Sequence, residues 1–237
     1  MATFMQYFDL VLRWLHLFFG VLWIGHLYYF NFTQGVYLND AEVDAGAKTS
    51  LRRKLLPTAL YYFRWGAMWT LVTGILLYGS LGHLNPDGFA GFMATGRGWA
   101  ITVGVIMAIT MWYNVWFVIW PNQQIVIKNA EGLAKGQPAL PEAAAAGARA
   151  NVASRTNTLF SIPVLFFMIG AKAIPLPPKS ESSNYLIFWV VFLLIWGAIE
   201  FNALKGQTGK MMTTIRQTFH SGVGLLVVLV ALMIFTA

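Results

Sequence analysis

Two histidines and an arginine stand inside the first apolar run of the chain, Leu12-Arg13-Trp14-Leu15-His16-Leu17-Phe18-Phe19-Gly20-Val21-Leu22-Trp23-Ile24-Gly25-His26. Ionisable groups in a membrane-spanning helix are costly, so each is a candidate functional group. Imidazole is also a common axial ligand of haem iron, which makes redox chemistry the first chemistry to consider. A further histidine, His220, lies in the last apolar run. His16 is followed four residues later by Gly20, and His220 by Gly224. Positions four apart share a helix face, and a missing side chain beside a histidine leaves room for a flat macrocycle. The same spacing also fits ordinary close packing of membrane helices.

Two axial ligands of one iron must lie at nearly the same depth. At 1.5 Å per residue, His16 falls about 6 Å to the outer side of its helix midpoint, and His26 about 9 Å to the cytoplasmic side. His220 falls roughly 7 Å to the cytoplasmic side of its own. Depth therefore allows His26 and His220 to share an iron, and His16 needs another partner. His83, just past the outer end of the second helix, is either that partner or a solvated loop residue. Arg13 follows Asp9 by four residues, which suits a local ion pair. Its other reading is a cation facing a haem propionate or another anion. Arg64 and Glu200, near the cytoplasmic ends of their helices, invite the same two readings, and a mutual pair or snorkelling would satisfy both. Trp112, Tyr113, Trp116 and Trp120 read as an interfacial aromatic belt.

These residues need spanning helices to position them, and the composition supplies them. Charged residues make up 11% of the 237 residues and apolar ones 57%, far from a soluble domain, in which about a quarter are charged. The expected fold is all-α, a single integral membrane bundle of six helices: Phe8 to Phe32, Leu56 to Leu81, Trp99 to Trp120, Asn157 to Ile174, Tyr185 to Leu204 and Thr213 to Ala237. The fourth is short, contains Pro163 and runs into Lys172 and Pro175-Leu176-Pro177-Pro178, which predicts a kinked or partial span. Lys and Arg gather in the first, third and fifth connections, while the second and fourth hold only Arg97, Lys172 and Lys179. That bias places both termini on the non-cytoplasmic side. The longest connection, Asn122 to Ser154, is expected in the cytoplasm, with a short surface helix over its Ala-rich part, Glu142 to Arg155. No basic stretch or small-residue cleavage site precedes Arg13, so the first helix is expected to stay.

The sequence has no cysteine, so any haem must be noncovalent b-type haem, with no covalent c-type haem and no iron–sulfur cluster. The net charge of +7 is read as loop charge at the membrane, not as a nucleic-acid surface.

Four pieces of sequence, in order, resemble the membrane domain of the bacterial membrane-bound urate oxidases, or urate hydroxylases. They are Arg13-Trp14-Leu15-His16 with Trp23-Ile24-Gly25 and Tyr29-Phe30; Phe63-Arg64-Trp65 with Thr70 and Gly74; Asn114 to Gln123; and Ser161 to Met168. The first also resembles small membrane haem proteins such as the protoporphyrinogen oxidase of many bacteria, which implies haem b on His16. That family's oxidases carry a cytochrome c domain after the membrane part, and the present sequence contains none. The chain also shows Arg155-Thr156-Asn157 where the family has a histidine beside an asparagine, and Ala171-Lys172-Ala173 in place of Asn-His-Tyr. The resemblance therefore does not extend to urate oxidation by this chain alone.

Two functions follow as expectations. One is a haem b protein of the bacterial inner membrane, transferring electrons with a protein partner such as a cytochrome or a larger membrane complex. Its ligand pool is His16, His26 and His220, with Gly20, Gly224, Arg13 and Arg64 around the cofactor. The other is a non-catalytic subunit of a respiratory or photosynthetic complex. A transporter ranks below both, because no inverted repeat or paired broken helices are visible.

Overall fold

A computed structural model describes residues 2–83, 87–171, 184–205 and 212–236, with side chains at 2–5, 82 and 83 excepted. Among the described residues every regular element is helical. In chain order they are α1 (Ala2–Tyr28), α2 (Gly35–Asn39), α3 (Ala45–Ser50), α4 (Leu56–His83), α5 (Gly88–Met93), α6 (Gly96–Tyr113), α7 (Trp120–Leu133), α8 (Ala143–Gly170), α9 (Tyr185–Lys205) and α10 (Ile215–Thr236). Three π-helical stretches, Tyr29–Gln34, Leu51–Leu55 and Asn114–Ile119, continue the helices on either side of them.

Among the described residues five helical stretches are long and apolar enough to cross a membrane: Gln6–Asn39, Gly96–Leu133, Ala143–Gly170, Tyr185–Lys205 and Ile215–Thr236. The expected second segment is α4, which has the length of the others at 28 residues. Tyr61, Tyr62, Arg64, Trp65 and Trp69 reduce its apolar character. It runs antiparallel to α1, since His16 meets Thr70, Trp23 meets Gly66 and His26 meets Tyr62. Large apolar side chains face outward along the bundle, including Phe235, Ile169 and Leu186, as lipid contact requires.

The centre of the bundle is α8, whose most apolar window is 61% buried against 17% for the stretch that begins with α1. It touches α1, α6, α7, α9 and α10. Two expectations about this region are corrected. The Ala-rich segment is no separate surface helix but the first half of α8, with Ala146, Ala150, Val152 and Ala153 buried. Small side chains let α7 approach closely, and that packing outweighs the polar look of the connection, which shrinks to residues 134–142. Nor does Pro163 end the helix, which continues through it to Gly170. The expected segment ends at Ile174, and its last residues, with Lys172, Lys179, Pro175-Leu176-Pro177-Pro178 and Lys210, lie outside the described residues. His83 is the last residue of α4 rather than part of a loop.

Proline has no N–H, so the carbonyl four residues before Pro163 loses its usual helical donor. That carbonyl belongs to Leu159, and α10 seats Gly222 against it. A Cβ at position 222 would lie 2.8 Å from the Leu159 oxygen and 2.6 Å from Ile162 Cδ1. Gly222→Ala is therefore expected to lower stability by about 1–3 kcal/mol, the cost of overpacking. Gly79→Ala meets nothing within 4 Å and should be neutral or slightly stabilising. Thermal unfolding of both variants in mild detergent compares the two sites.

Candidate functional site

The histidine face lies between α1 and α4. His16 is half-buried, with Nδ1 3.0 Å from the Thr70 carbonyl and 3.2 Å from Thr73 Oγ1. The Thr73 hydroxyl donates its own hydrogen to the Trp69 carbonyl at 2.7 Å, so toward His16 it can only accept. With two acceptors at Nδ1, that nitrogen carries the hydrogen and Nε2 keeps the lone pair. This is the tautomer of a metal-ligating histidine held by a carbonyl. Gly74 completes the seat, because a Cβ there would stand 3.0 Å from His16 Cε1.

His26 has the same tautomer, since its Nδ1 lies 2.7 Å from the Leu22 carbonyl. Its ring stacks on Tyr62 at 6.2 Å. It lines a groove of about 540 Å³ between the two helices, together with Val21, Gly25, Tyr29, Thr58 and Tyr62. That volume is in the range of cofactor sites. Ten residues of helix separate His16 from His26, about 15 Å along the axis, so they belong to two levels.

His220 stands apart from both. It is exposed on α10, with Phe219 beside it. Phe219 in turn meets Phe32, and Tyr28 bonds to Ser161 of α8, so this flank of the first helical stretch faces α8 and α10. His26 faces α4 instead. Depth alone allowed His26 and His220 to share an iron, but their helix faces separate them. Beyond the local helix backbone, nothing lies within 4 Å of where a Cβ would stand on Gly20 or Gly224.

Arg13 makes a two-pronged ion pair with Asp9, at 2.6 and 3.0 Å. Arg97, at the start of α6, is close enough to feel both charges, a neighbour that sequence reasoning left among the loop cations. Arg64 does not pair with Glu200. Its guanidinium lies 3.4 Å from the centroid of the Trp120 ring and 5.4 Å from that of Trp116, and Nε donates to the Leu60 carbonyl. The rings read as an interfacial belt therefore include a cation–π seat for Arg64.

The partner of Glu200 is Asn114, in the π-helical stretch. Asn114 Nδ2 donates at 3.0 Å to Glu200 Oε2 and at 3.0 Å to Asn157 Oδ1, and Asn157 Nδ2 donates to the Met111 carbonyl at 2.9 Å. Both asparagines are fully buried and Glu200 is 7% exposed. The polar line continues along α8 through Ser154, Thr158 and Ser161, which with Asn157 follow a three- and four-residue spacing on one face. Asn31 donates to Ser154 at 2.8 Å, and Tyr28 bonds to Ser161 at 2.9 Å. The 154, 157, 158, 161 spacing was the available signal for this seam. Reading the Ala-rich half as a surface helix concealed it.

Comparison with known proteins supports the resemblance, and the matched residues include two of the four quoted pieces, Asn114 to Gln123 and Ser161 to Met168. The family described as urate oxidase N-terminal matches residues 89–234, more than half of the chain. The chain belongs to that family. The matched stretch holds Asn114, Asn157, Glu200, His220 and Gly224, while α1 and α4, with His16, His26 and Arg64, precede it. No curated protein and no solved structure gives a significant match.

Removing Asn157 leaves one donor of Asn114 unpaired inside the bundle and takes a second donor from the Met111 carbonyl. Asn157→Ala is expected to cost about 1–3 kcal/mol, as for other buried groups left unpaired. Asn39→Ala, which removes an exposed side-chain bond to the Gly35 carbonyl, should stay within about 0.5 kcal/mol. Melting temperatures in detergent give the comparison.

Proposed function

We propose that this member of the urate oxidase N-terminal family is a haem b protein of the bacterial inner membrane that exchanges electrons with a protein partner, a cytochrome or a larger membrane complex. The reading includes six spans, with α4 as the sixth, and both termini on the non-cytoplasmic side. Arg52, Arg53, Lys54, Lys128 and Lys135 at the opposite ends of the helices support that orientation.

The observation that carries the cofactor assignment is His16. Its Nδ1 is fixed by two acceptors from α4, which leaves Nε2 as a neutral nitrogen ligand. Gly74 keeps the ring's place open on the α4 side. Arg13 and Arg97 lie toward the same end of the bundle and together outweigh the charge of Asp9, which suits the anionic propionates. The groove of about 540 Å³ lies beside His26, one level along α1 from His16. Haem b, when bound, supplies a one-electron couple at its iron. The chain's own part is to hold His16 in one tautomer and one orientation, to exclude water with the surrounding apolar helices and to set cations near the propionates. Among the described residues no group of three His, Cys, Asp or Glu side chains could hold a bare metal ion, whereas haem needs only one or two protein ligands.

A reduced-minus-oxidised visible spectrum and a pyridine haemochrome assay on the purified chain, alone and with co-purifying proteins, test the proposal. A b-type signal is expected that is lost in His16→Ala, is weakened in Thr73→Val, which removes one acceptor at Nδ1, and survives His220→Ala. Absence of haem from both preparations would overturn the cofactor reading and leave a non-catalytic subunit of a larger complex. In that case the co-purifying proteins identify its setting.

A further inference from the structure

Among the described residues Glu200 is the only buried acid, and it is not part of the histidine face. Its hydrogen bonds do not balance if it is a carboxylate. The Asn114 carboxamide spends its two hydrogens on Asn157 Oδ1 and Glu200 Oε2. Two buried acceptors then remain without a donor, Asn114 Oδ1 and Glu200 Oε1. A carboxylate can only accept, so an ionised Glu200 leaves both oxygens orphaned and a charge inside an apolar bundle.

The cations on the elements around Glu200 are engaged elsewhere or, like Arg149 of α8, exposed. Arg155 of α8 donates to the Met212 and Thr213 carbonyls, both at 2.7 Å. Lys205 of α9 lies 4.8 Å from the centroid of the Phe201 ring, and Arg64 of α4 lies over Trp120. Arg216 and His220 of α10 are exposed. Arg13 is paired with Asp9 on α1.

We propose that Glu200 is a proton-binding site in which the carboxylic acid and the Asn114 carboxamide pair edge to edge. One hydrogen on Oε1 provides the donor that Asn114 Oδ1 lacks, while Asn114 Nδ2 continues to donate to Oε2. An acid and a primary amide are complementary along these edges, and both orphaned oxygens are satisfied by a single hydrogen. Loading the site takes one proton from hydronium in the bathing water. An O–H bond forms at Oε1 as one O–H bond of hydronium breaks and leaves water; the carboxylate charge is cancelled and no oxidation state changes. Asn157 holds the carboxamide from the far side by accepting its second hydrogen and anchoring to the Met111 carbonyl. The site thus stores a proton inside the bundle, at the head of the polar seam of α8, a role for which intramembrane carboxyls are well suited.

The test is infrared spectroscopy of the full chain in lipid vesicles at neutral pH, in H2O and D2O. Wild type is expected to show the C=O stretch of a hydrogen-bonded protonated carboxyl that shifts in D2O. The band should be absent from Glu200→Gln, which keeps the side-chain volume and can make the same two contacts with an amide. Asn114→Leu should retain the band but move it to the position of a free acid. If Asn114→Leu fails to fold, the D2O shift in wild type and the loss in Glu200→Gln still decide. A wild type without this band, in which Glu200→Gln removes a carboxylate stretch instead, would overturn the proposal. A protonated band that does not respond to Asn114→Leu would overturn the paired geometry.

Discussion

Asn157 holds three helical stretches together from inside an apolar interior, and the bundle is arranged around the need to satisfy it. Lipid supplies no hydrogen bonds, so each polar group that α8 carries inward must find a partner within the protein. Asn157 accepts from Asn114, donates to the backbone at Met111 and through Asn114 reaches Glu200 on α9. One turn away on either side, Ser154 and Ser161 do the same for Asn31 and Tyr28 of the first helical stretch. The register of α8 against its neighbours is therefore fixed by polar matching, while Phe160, Phe167, Met107 and Met111 fill the volume between them.

The same demand explains the placement of two irregularities. Asn114 opens a π-helical stretch, and π turns are frequent where a helix re-aims a functional side chain. Pro163 releases a carbonyl from its helical donor, and the bundle answers with a glycine on the facing helix. The cations follow the same rule. Arg155 binds two carbonyls at the start of α10, and Arg64 takes the faces of two tryptophans. Where no donor reaches Glu200 Oε1, a proton is the simplest missing partner.

Most of the helices were legible because hydropathy and length are one-dimensional properties: five expected segments overlap most of α1, α4, α6, α9 and α10, and the fourth overlaps the second half of α8. The family was legible too, from short ordered motifs such as Asn114 to Gln123. What escaped depends on facing. Counting residues matched His26 and His220 by depth alone, whereas His26 stacks on Tyr62 of α4 and His220 is exposed on α10. The first half of α8 looked like a solvated connection because alanine is neutral in composition, while its burial comes from the close approach of α7. Arg64 and Glu200 looked like a pair by charge, yet each found a closer neutral partner that the linear sequence does not place beside it. Thr70 and Gly74 were noted only as parts of a motif, and the fold gives them a task beside His16.

The uninterrupted run from α6 through the π turn into α7 is 38 residues, about 57 Å of helix, against a hydrocarbon core of about 30 Å. Its far end must stand clear of the lipid, braced by the first half of α8 and by the short helix α3. The result is a rigid mast on one face of the membrane whose foot is the Asn114 turn. The tip near Leu133 and the buried Asn114 turn are thus the two ends of one continuous helix, with roughly 21 Å of α7 between them.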